Sequence, residues 1–514
     1  MPYIINTYTN IWLQGHQVTV EVDANKALPT IDIIWLPDAA IKESKERMRA
    51  SFRNTWVDLP PRKIVLNLAP SDIKKVWTRF DVPMATAILR LIESPTWKVA
   101  DILDKSLFFG ELGLDGGTKK VTGILPSVIS AYKQWRRSFF VPVDNIAELE
   151  YIPDIHLYSI SSLKDIIKFF ANPTYLSDII VPHKKLPPKE LTMFDIDFAD
   201  IKWHVVPKRA LTLAAAGMHN VLMAGPPGSG KTMLAKAVQS ILPPLTFDQV
   251  IDVSQIYSII GTLGSKQPLI TQRPFRAVHH TASRISIVWW GKDLTPWEVS
   301  MSHHGILFFD ELPEFPREVL EVLRQPLEDK KVVISRASGS VEYPSDFMFV
   351  AAMNPCKCGF YKDREKNCIC SINDIKRYQS KISWPLLDRF DIVLEVPREN
   401  IDTILDKDAQ QSSNQIREHV VAAREIQKER YEDTPFVTNA QVSAKMLQKH
   451  MQLESDAEVF LKDVVKKLVL SPRVAHRAIK LWRTIADLQW SDTIQRSHIA
   501  EALQYREKNM FIDM

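Results

Sequence analysis

The residues best suited to chemistry form a glycine-rich segment near the middle of the chain. Residues 225–232 read GPPGSGKT, which has the G-x-x-x-x-G-K-T spacing of a phosphate-binding loop. In such a loop backbone N–H groups surround the α- and β-phosphates, Lys231 reaches the β- and γ-phosphates, and the Thr232 hydroxyl ligates Mg²⁺. The sequence therefore predicts a nucleotide site with the following members: Gly225, Pro226, Pro227, Gly228, Ser229, Gly230, Lys231 and Thr232.

Two acids and an amide follow apolar runs further along the chain. Residues 305–309 (GILFF) precede Asp310 and Glu311, and residues 347–353 (FMFVAAM) precede Asn354. Asp310 is predicted to hold Mg²⁺ through water, and Glu311 to orient and polarise the water that attacks the γ-phosphate. Asn354 fits the role of a sensor that contacts the γ-phosphate from the adjacent strand. Together with the phosphate loop, this pattern indicates hydrolysis of ATP.

These groups need strands whose ends meet at one place. Residues 221–224 (VLMA), 305–309 and 347–353 each have the pattern of a buried strand, and residues 233–241 have that of a helix. Helical segments between the strands favour a parallel α/β sheet, which binds its ligand at the carboxyl ends of the strands. The helix after the phosphate loop adds a favourable dipole to the bound phosphates.

Length, composition and charge are those of an ordinary globular protein. The chain has 514 residues, of which 45% are hydrophobic and 25% charged, enough for two or three domains. Its net charge of +4 is too small to indicate nucleic-acid binding, so any DNA site must be a local patch. We find neither a secretory signal nor an apolar run long enough to span a membrane, and expect a cytoplasmic protein with no membrane partner.

Several long motifs occur in order along most of the chain. They are residues 36–44 (LPDAAIKES), 67–72 (NLAPSD), 110–116 (GELGLDG), 279–281 (HHT), 310–315 (DELPEF), 385–391 (PLLDRFD), 470–473 (LSPR) and 483–488 (RTIADL). With these motifs the chain resembles, nearly end to end, the magnesium-chelatase-like AAA+ ATPases of the ComM and YifB type.

This resemblance implies an α/β fold class with three domains. They are a Lon-protease-like N-terminal α+β domain, an AAA+ P-loop core with a parallel sheet, and a C-terminal helical lid. We place the first at 1–170, the core at 196–398 with a cysteine insertion at 354–372, and the lid at 399–514. A proline-rich linker is expected at 171–195.

The first domain lacks the catalytic pair of the protease that it resembles. Met84 stands where that protease has its serine nucleophile, and the position of the catalytic lysine falls near Leu125. A thioether cannot act as the nucleophile. We therefore expect a scaffold or a DNA-engaging ring without protease activity.

The resemblance also implies roles for arginine and histidine residues outside the phosphate loop. Arg389 resembles the arginine finger that contacts the γ-phosphate in a neighbouring subunit, and Arg473 resembles the second sensor. A basic segment between the two phosphate-site motifs is the best candidate for contact with DNA phosphates. Core packing or metal binding is the alternative for its histidine pair. The members of this segment are Arg273, Arg276, His279, His280 and Arg284.

By resemblance, we expect an ATP-dependent DNA motor. It would be a ring-shaped, hexameric helicase that drives branch migration in homologous recombination and natural transformation on single-stranded or branched DNA. A chelatase-like or chaperone-like remodeller of a protein partner is the alternative, because it would use the same ATP site.

The four cysteines of the chain lie in one short segment. Cys356 and Cys358 form one C-x-C pair and Cys368 and Cys370 a second, with nine residues between the pairs. Four thiolates suit a tetrahedral structural Zn²⁺ site, whereas disulfides, the alternative, are disfavoured in the cytoplasm. Because the phosphate loop lies elsewhere in the sequence, we expect metal loss to affect DNA-dependent activity more than nucleotide affinity.

Tryptophan stands at many positions where the family pattern has glycine. The chain has only 16 glycines in 514 residues, about 3% against a usual ~7%. We hypothesise that these tryptophans correspond to UGA codons that the source organism reads as glycine; true substitution is the alternative. The positions are Trp12, Trp35, Trp56, Trp77, Trp135, Trp203, Trp289, Trp290, Trp297, Trp384 and Trp490.

Overall fold

The structure is a computed structural model. It describes residues 2–34, 39–71, 77–186, 194–281, 289–290, 295–296, 298–336, 339–363, 365–398, 411–450, 452–468 and 472–505. The chain divides by its contacts into two compact units, Met1–Glu190 with Val250–Ile270, and Leu191–Gln249 with Thr271–Met514. Within the described ranges, no helix combines the length and apolar character needed to cross a membrane.

The first unit contains the strands β1–β10. They are β1 (Tyr3–Ile11), β2 (Gln14–Asn25), β3 (Thr30–Ile34), β4 (Lys63–Ala69), β5 (Ser106–Phe108), β6 (Glu111–Leu112), β7 (Thr118–Lys119), β8 (Ser138–Pro142), β9 (His156–Ile160) and β10 (Ile180–Val181). Eight of them form one mixed sheet in the order β10-β9-β8-β5-β1-β2-β4-β3, while β6 and β7 form a separate pair. Burial alternates along β4, because successive side chains of a strand point to opposite faces of the sheet.

Helices of the first unit pack against this sheet. They are α1 (Ala39–Asn54), α2 (Asp81–Glu93), α3 (Trp97–Lys105), α4 (Ile124–Lys133), α5 (Ile146–Leu149), α6 (Leu163–Ala171) and α7 (Leu176–Ile179). Met84 in α2 and Leu125 in α4 are 2% and 0% exposed, so both positions without the protease residues belong to the apolar core. The first part of the predicted linker is folded, because β10 pairs with β9.

The second unit contains the strands β11–β19. They are β11 (Val221–Ala224), β12 (Phe275–Val278), β13 (Trp289–Trp290), β14 (Thr295–Pro296), β15 (Ile306–Phe309), β16 (Lys331–Arg336), β17 (Gly339–Pro344), β18 (Met348–Met353) and β19 (Ile392–Glu395). Five form a sheet in the order β12-β15-β18-β11-β19, and each neighbouring pair is parallel. The predicted parallel α/β sheet is confirmed, and its central strands are buried throughout, as parallel strands covered on both faces must be.

Helices follow the strands of the second unit and dominate its C-terminal part. They are α8 (Val205–Gly217), α9 (Lys231–Ile241), α10 (Phe247–Ile260, which continues into the first unit), α11 (Glu298–Met301), α12 (Arg317–Val322), α13 (Arg324–Asp329), α14 (Ile372–Gln379), α15 (Trp384–Leu387), α16 (Ser413–Arg430), α17 (Ala444–His450), α18 (Ser455–Leu468), α19 (Pro472–Leu488) and α20 (Arg496–Gln504). The described residues after 411 contain helices and turns.

Four tryptophans of the glycine-pattern set have left-handed backbone conformations. Trp12, Trp56, Trp135 and Trp490 have φ between 59° and 64°. Trp12 is the first residue of the two-residue loop between β1 and β2, where a type II′ turn favours glycine. The other three follow the last turns of α1, α4 and α19. A left-handed residue after a helix is usually glycine, because a Cβ is strained there.

Candidate nucleotide-binding site

The phosphate loop connects the end of β11 to the start of α9. Gly228 and Gly230 have φ of 78° and 85°, a left-handed conformation that turns successive N–H groups toward one point. A Cβ on Gly225 would lie 2.1 Å from the carbonyl oxygen of Val396, so only glycine fits between the loop and the segment after β19. The loop thus has the backbone that the sequence pattern predicts.

Lys231 is folded into the loop. Its Nζ donates hydrogen bonds of 2.8 Å to the carbonyl oxygens of Gly225 and Pro226. Burial lowers the pKa of Lys231 to about 8, although Asp310 and Glu311 act in the opposite direction. A bound phosphate is a stronger partner for this ammonium group than two neutral carbonyls, and its negative charge would raise the pKa of Lys231 again.

Thr232 and Asp310 meet across the sheet edge. The Thr232 hydroxyl donates a 2.7 Å hydrogen bond to a carboxylate oxygen of Asp310, which follows β15. A hydroxyl and a carboxylate at this separation are the hard oxygen ligands that Mg²⁺ prefers. The donor set therefore fits the metal of a nucleotide complex, with Thr232 on one side and Asp310 on the other.

Glu311 has a strained backbone next to this pair. Its φ is 53°, and its N–H donates a 2.9 Å hydrogen bond to the side chain of Asp310. A carboxylate oxygen of Glu311 also lies 3.3 Å from Nδ1 of His280. Left-handed backbone at a residue other than glycine has a free-energy cost and is concentrated at functional sites. The strain and the histidine contact fix where the carboxylate of Glu311 is held.

Asn354 joins the same cluster from β18. Its side-chain oxygen lies 3.3 Å from Nζ of Lys231, because β18 and β11 are adjacent parallel strands. Strands β11, β15 and β18 thus end at one edge of the sheet with Lys231, Asp310, Glu311 and Asn354 around a common point. The structure therefore brings the loop together with two of the predicted catalytic residues, Glu311 and Asn354.

Arg389 lies at the opposite edge of the sheet. It is three residues before β19, and its carbonyl oxygen accepts a 2.9 Å hydrogen bond from Asn220, which immediately precedes β11. The strands are parallel, so this edge is separated from the phosphate loop by the length of a four-residue strand, about 13 Å. The Arg389 side chain is 4% exposed and pairs at 2.8 Å with Glu328 of α13. Arg389 therefore does not belong to the nucleotide site of its own chain.

The basic segment proposed for DNA is only partly available. Arg273 donates to the carbonyl oxygens of Pro243 and His304 and to the side chain of Gln249, and burial lowers its pKa to about 10. Arg276 forms two 2.6 Å hydrogen bonds with Glu298. These two arginines are engaged within the protein, which corrects the expectation that the whole segment is free to contact DNA.

The structure describes the remaining predicted site residues less completely. His279 is exposed, and its ring lies 4.2 Å from that of His280. Arg284 lies outside the described residues, and Arg473 is the second residue of α19 with a side chain outside the described part. Of the basic segment, the structure places only His280 at the nucleotide site.

The four cysteine sulfurs converge after Asn354. The Sγ atoms of Cys356, Cys358 and Cys368 are 3.3 to 3.7 Å apart, and Cys370 lies within the same 4.8 Å group. All four are free thiols rather than disulfides. Burial acts to raise the pKa of Cys358, but hydrogen bonds from backbone N–H groups outweigh it and lower this pKa to about 6. This donor set has the chemistry of a thiolate metal site.

Sequence reasoning missed two contacts of this site. Arg398, three residues after β19, donates a 3.3 Å hydrogen bond to the carbonyl oxygen of Pro227 in the phosphate loop. Its position after a strand of the same parallel sheet was the available signal. The contact between His280 and Glu311 had no such signal, because it depends on the side-chain direction after β12.

A glycine-rich loop, a magnesium-type oxygen pair and a strained glutamate at one sheet edge define the class of P-loop nucleotide-binding proteins. Three family models match successive parts of the chain. They are "Subunit ChlI of Mg-chelatase" at 20–145, "Magnesium chelatase, subunit ChlI" at 197–404, and "Magnesium chelatase, subunit ChlI C-terminal" at 410–506. The chain belongs to the magnesium-chelatase-like family that includes ComM and YifB.

Full-length relatives place the chain within that family. It is 36% identical over 504 residues to "Competence protein ComM" of Haemophilus influenzae. This match covers 98% of the chain and 97% of the relative. It is 35% identical over 505 residues to YifB of Salmonella typhimurium and to YifB of Escherichia coli, with 98% of this chain and 96% of each relative covered. Family membership indicates an AAA+-type ATPase.

Proposed function

We propose that the chain is an ATP-driven DNA motor that assembles as a hexameric ring and drives branch migration of recombination intermediates during natural transformation. The observation that carries the ATP-dependent part is the meeting of Lys231, Asp310, Glu311 and Asn354 at one sheet edge. The similarity to a protein named for competence supports the DNA-dependent part.

Hydrolysis of ATP follows from the positions of these side chains. Thr232 and Asp310 would hold Mg²⁺, which would supply positive charge to the phosphates. Lys231 exchanges the carbonyls of the loop for phosphate oxygens. Glu311 accepts a hydrogen bond from the attacking water and polarises it, and Asn354 contacts the γ-phosphate from the next strand.

A ring is supported by the distance between Arg389 and the phosphate loop of the same chain. A guanidinium at the opposite edge of the sheet is useful for hydrolysis only if another subunit brings its own nucleotide there. In an assembled ring, Arg389 would exchange its partner Glu328 for the γ-phosphate of the neighbour. This arrangement makes turnover depend on assembly.

The described members of the basic segment that remain candidates for contact with DNA are His279, which is exposed, and His280. Arg284, the third candidate, lies outside the described residues. His280 connects this segment to the water-polarising carboxylate, because it lies 3.3 Å from Glu311. A DNA phosphate that draws His280 away would release Glu311 for hydrolysis. By releasing Glu311 in this way, bound DNA would stimulate ATP turnover.

The test is the ATPase rate with single-stranded DNA, with a four-way junction, and without DNA. We expect DNA to raise the rate, and His280→Ala to raise the rate without DNA while reducing the stimulation. Glu298→Ala is the control, because it releases Arg276 outside the nucleotide site. ATP turnover that no DNA changes would refute the DNA motor.

A remodeller of a protein partner is the second candidate. The family models are described as a magnesium chelatase subunit, and such an activity would use the same ATP site. Here ATPase stimulation by a protein partner, with no response to DNA, is the expected result.

A further inference from the structure

The cysteine cluster has the dimensions of a metal site. A tetrahedral site with zinc–sulfur bonds of about 2.3 Å places its sulfurs about 3.8 Å apart. The observed separations among Cys356, Cys358 and Cys368 are 3.3 to 3.7 Å, far longer than a disulfide bond of about 2.05 Å. The N–H of Cys370 also lies 3.4 Å from the sulfur of Cys368. Backbone N–H groups that point to sulfur stabilise thiolate ligands.

Gly359 links this cluster to the phosphate loop. It directly follows Cys358 and has φ of 85°, and its N–H donates a 3.0 Å hydrogen bond to the carbonyl oxygen of Cys356. A Cβ on Gly359 would lie 2.5 Å from Cδ and 2.7 Å from Cγ of Pro227. The turn between the first two cysteines therefore lies directly against the ring of a phosphate-loop proline.

Arg398 makes a second connection between the same two segments. One of its nitrogens donates to the carbonyl oxygen of Pro227 at 3.3 Å, and another lies 3.6 Å from a carboxylate oxygen of Glu365. Its guanidinium carbon is 5.9 Å from the ring centroid of Phe360. Both Phe360 and Glu365 lie between the cysteine pairs, so the loop that the cysteines close also positions Arg398.

We propose that Cys356, Cys358, Cys368 and Cys370 bind one Zn²⁺ ion, and that this ion holds Gly359 and Arg398 against Pro227 so that metal occupancy sets nucleotide affinity. Metal loss frees the loop, and the phosphate loop loses its two outer contacts. This proposal differs from the expectation from sequence, in which metal loss affects DNA-dependent activity more than nucleotide affinity.

The metal is tested first, on the full chain purified under reducing conditions without a metal-affinity step. We expect about one zinc per chain by elemental analysis. Replacement by Co²⁺ should give the visible bands of a tetrahedral thiolate site. Cys368→Ser should lose the metal, whereas Lys357→Ser, at an exposed position within the same loop, should retain it. Metal-free protein with all four thiols reactive, or with a disulfide, would overturn the site.

The link to the phosphate loop is tested by the dissociation constant of a fluorescent ATP analogue, measured without DNA. Cys368→Ser and Gly359→Ala should each weaken binding roughly tenfold, the latter without loss of zinc. Pro227→Ala combined with Gly359→Ala should recover part of the lost affinity, because it removes the ring that the new Cβ meets but not the backbone strain of alanine at φ of 85°. Lys357→Ser is again the control.

Variants that do not fold are identified by their circular dichroism and thermal transition. If Cys368→Ser fails to fold, Gly359→Ala still tests the link between the cysteine loop and the phosphate loop. Zinc-free protein that binds the analogue as tightly as the zinc-loaded protein would overturn the link. Because no DNA is present, this result is independent of whether the DNA motor proposal holds.

Discussion

At the scale of single residues, Glu311 has the most constrained geometry of the proposed catalytic residues. Its backbone is left-handed and its N–H donates to the Asp310 side chain, while its carboxylate lies 3.3 Å from Nδ1 of His280. Strain of this kind is maintained only where surrounding contacts fix it. The position is consistent with a carboxylate that must be presented to one water molecule.

Glu311→Gln should keep ATP binding and lower turnover by about 10²-fold or more, because Lys231, Thr232 and Asp310 remain while the proton acceptor is lost. The measurements are the affinity for a fluorescent ATP analogue and the steady-state ATPase rate. Glu314→Gln is a control on the same segment, since Glu314 pairs with Lys381 at the surface. Turnover within a few-fold of the parent chain would remove Glu311 from the chemistry.

Three of the left-handed tryptophans lie in the same motif at the end of a helix. After α1, the N–H of Trp56 bonds to the carbonyl of Arg53 and that of Val57 to Phe52. The same pair of bonds recurs around Trp135 and Trp490. This is the Schellman motif, whose left-handed position is most often glycine. The indole of Trp56 is 90% exposed, so no burial of the ring offsets the strain.

Trp56→Gly should therefore raise the free energy of unfolding of the tryptophan-containing chain by about 1 kcal/mol, because a Cβ costs about 1–2 kcal/mol in this conformation. Urea denaturation measures it. Trp97→Gly is the matched control: Trp97 is also exposed, but it is the first residue of helix α3, where glycine should give no gain. Equal effects of the two substitutions would contradict the conformational argument.

The four left-handed positions show whether the native protein contains glycine or tryptophan there. Peptide mass spectrometry of protein from its source should show glycine at Trp12, Trp56, Trp135 and Trp490 if UGA is read as glycine. Trp482 should remain tryptophan, because its ring is fully buried in the core. Indole at all four left-handed positions would refute the codon hypothesis.

At the scale of elements, a buried ionic cluster joins the helices of the C-terminal part. Asp487 of α19 is fully buried and contacts Arg483 of the same helix at 2.9 Å. Arg430, at the end of α16, binds it through two nitrogens at 2.5 and 2.9 Å. Removing one member of such a cluster leaves buried charge without compensation.

Asp487→Ala should lower the free energy of unfolding by about 3 kcal/mol, because Arg430 and Arg483 lose their shared carboxylate. Glu501→Ala is the comparison, since it breaks the more exposed pair with Arg209 and should cost less than about 1 kcal/mol. Both values come from denaturant titration. Similar losses for the two variants would show that burial does not control the energy of these pairs.

The sequence predicted the elements best where the pattern was strong. The strands before the phosphate loop, Asp310 and Asn354 were placed correctly, because long buried apolar runs with polar ends have few other structures. It could not predict that Arg273 points inward or that Gly359 lies against Pro227. Both contacts depend on tertiary packing, and Gly359 and Pro227 are more than a hundred residues apart in the sequence. A local sequence pattern carries no signal for such contacts.

At the scale of the whole molecule, the parallel sheet of the second unit separates two functions. Its carboxyl edge has the phosphate loop, and its amino edge has Arg389, paired with Glu328. In the proposed ring, one chain supplies a nucleotide at one edge and a guanidinium at the other. Such a polar subunit forms a closed ring when each copy places its amino edge on the carboxyl edge of the next.

Arg389→Ala should lower ATP turnover by roughly 10³-fold in homogeneous rings, because the transition-state charge loses its guanidinium partner. In mixtures with the parent chain, the rate should fall below the line set by the fraction of parent subunits, since each variant subunit disables the site of its neighbour. Glu328→Ala is the matched control, because it removes the same internal ion pair and leaves the guanidinium. A linear dependence on subunit fraction, or an equal loss for Glu328→Ala, would confine the role of Arg389 to its own chain.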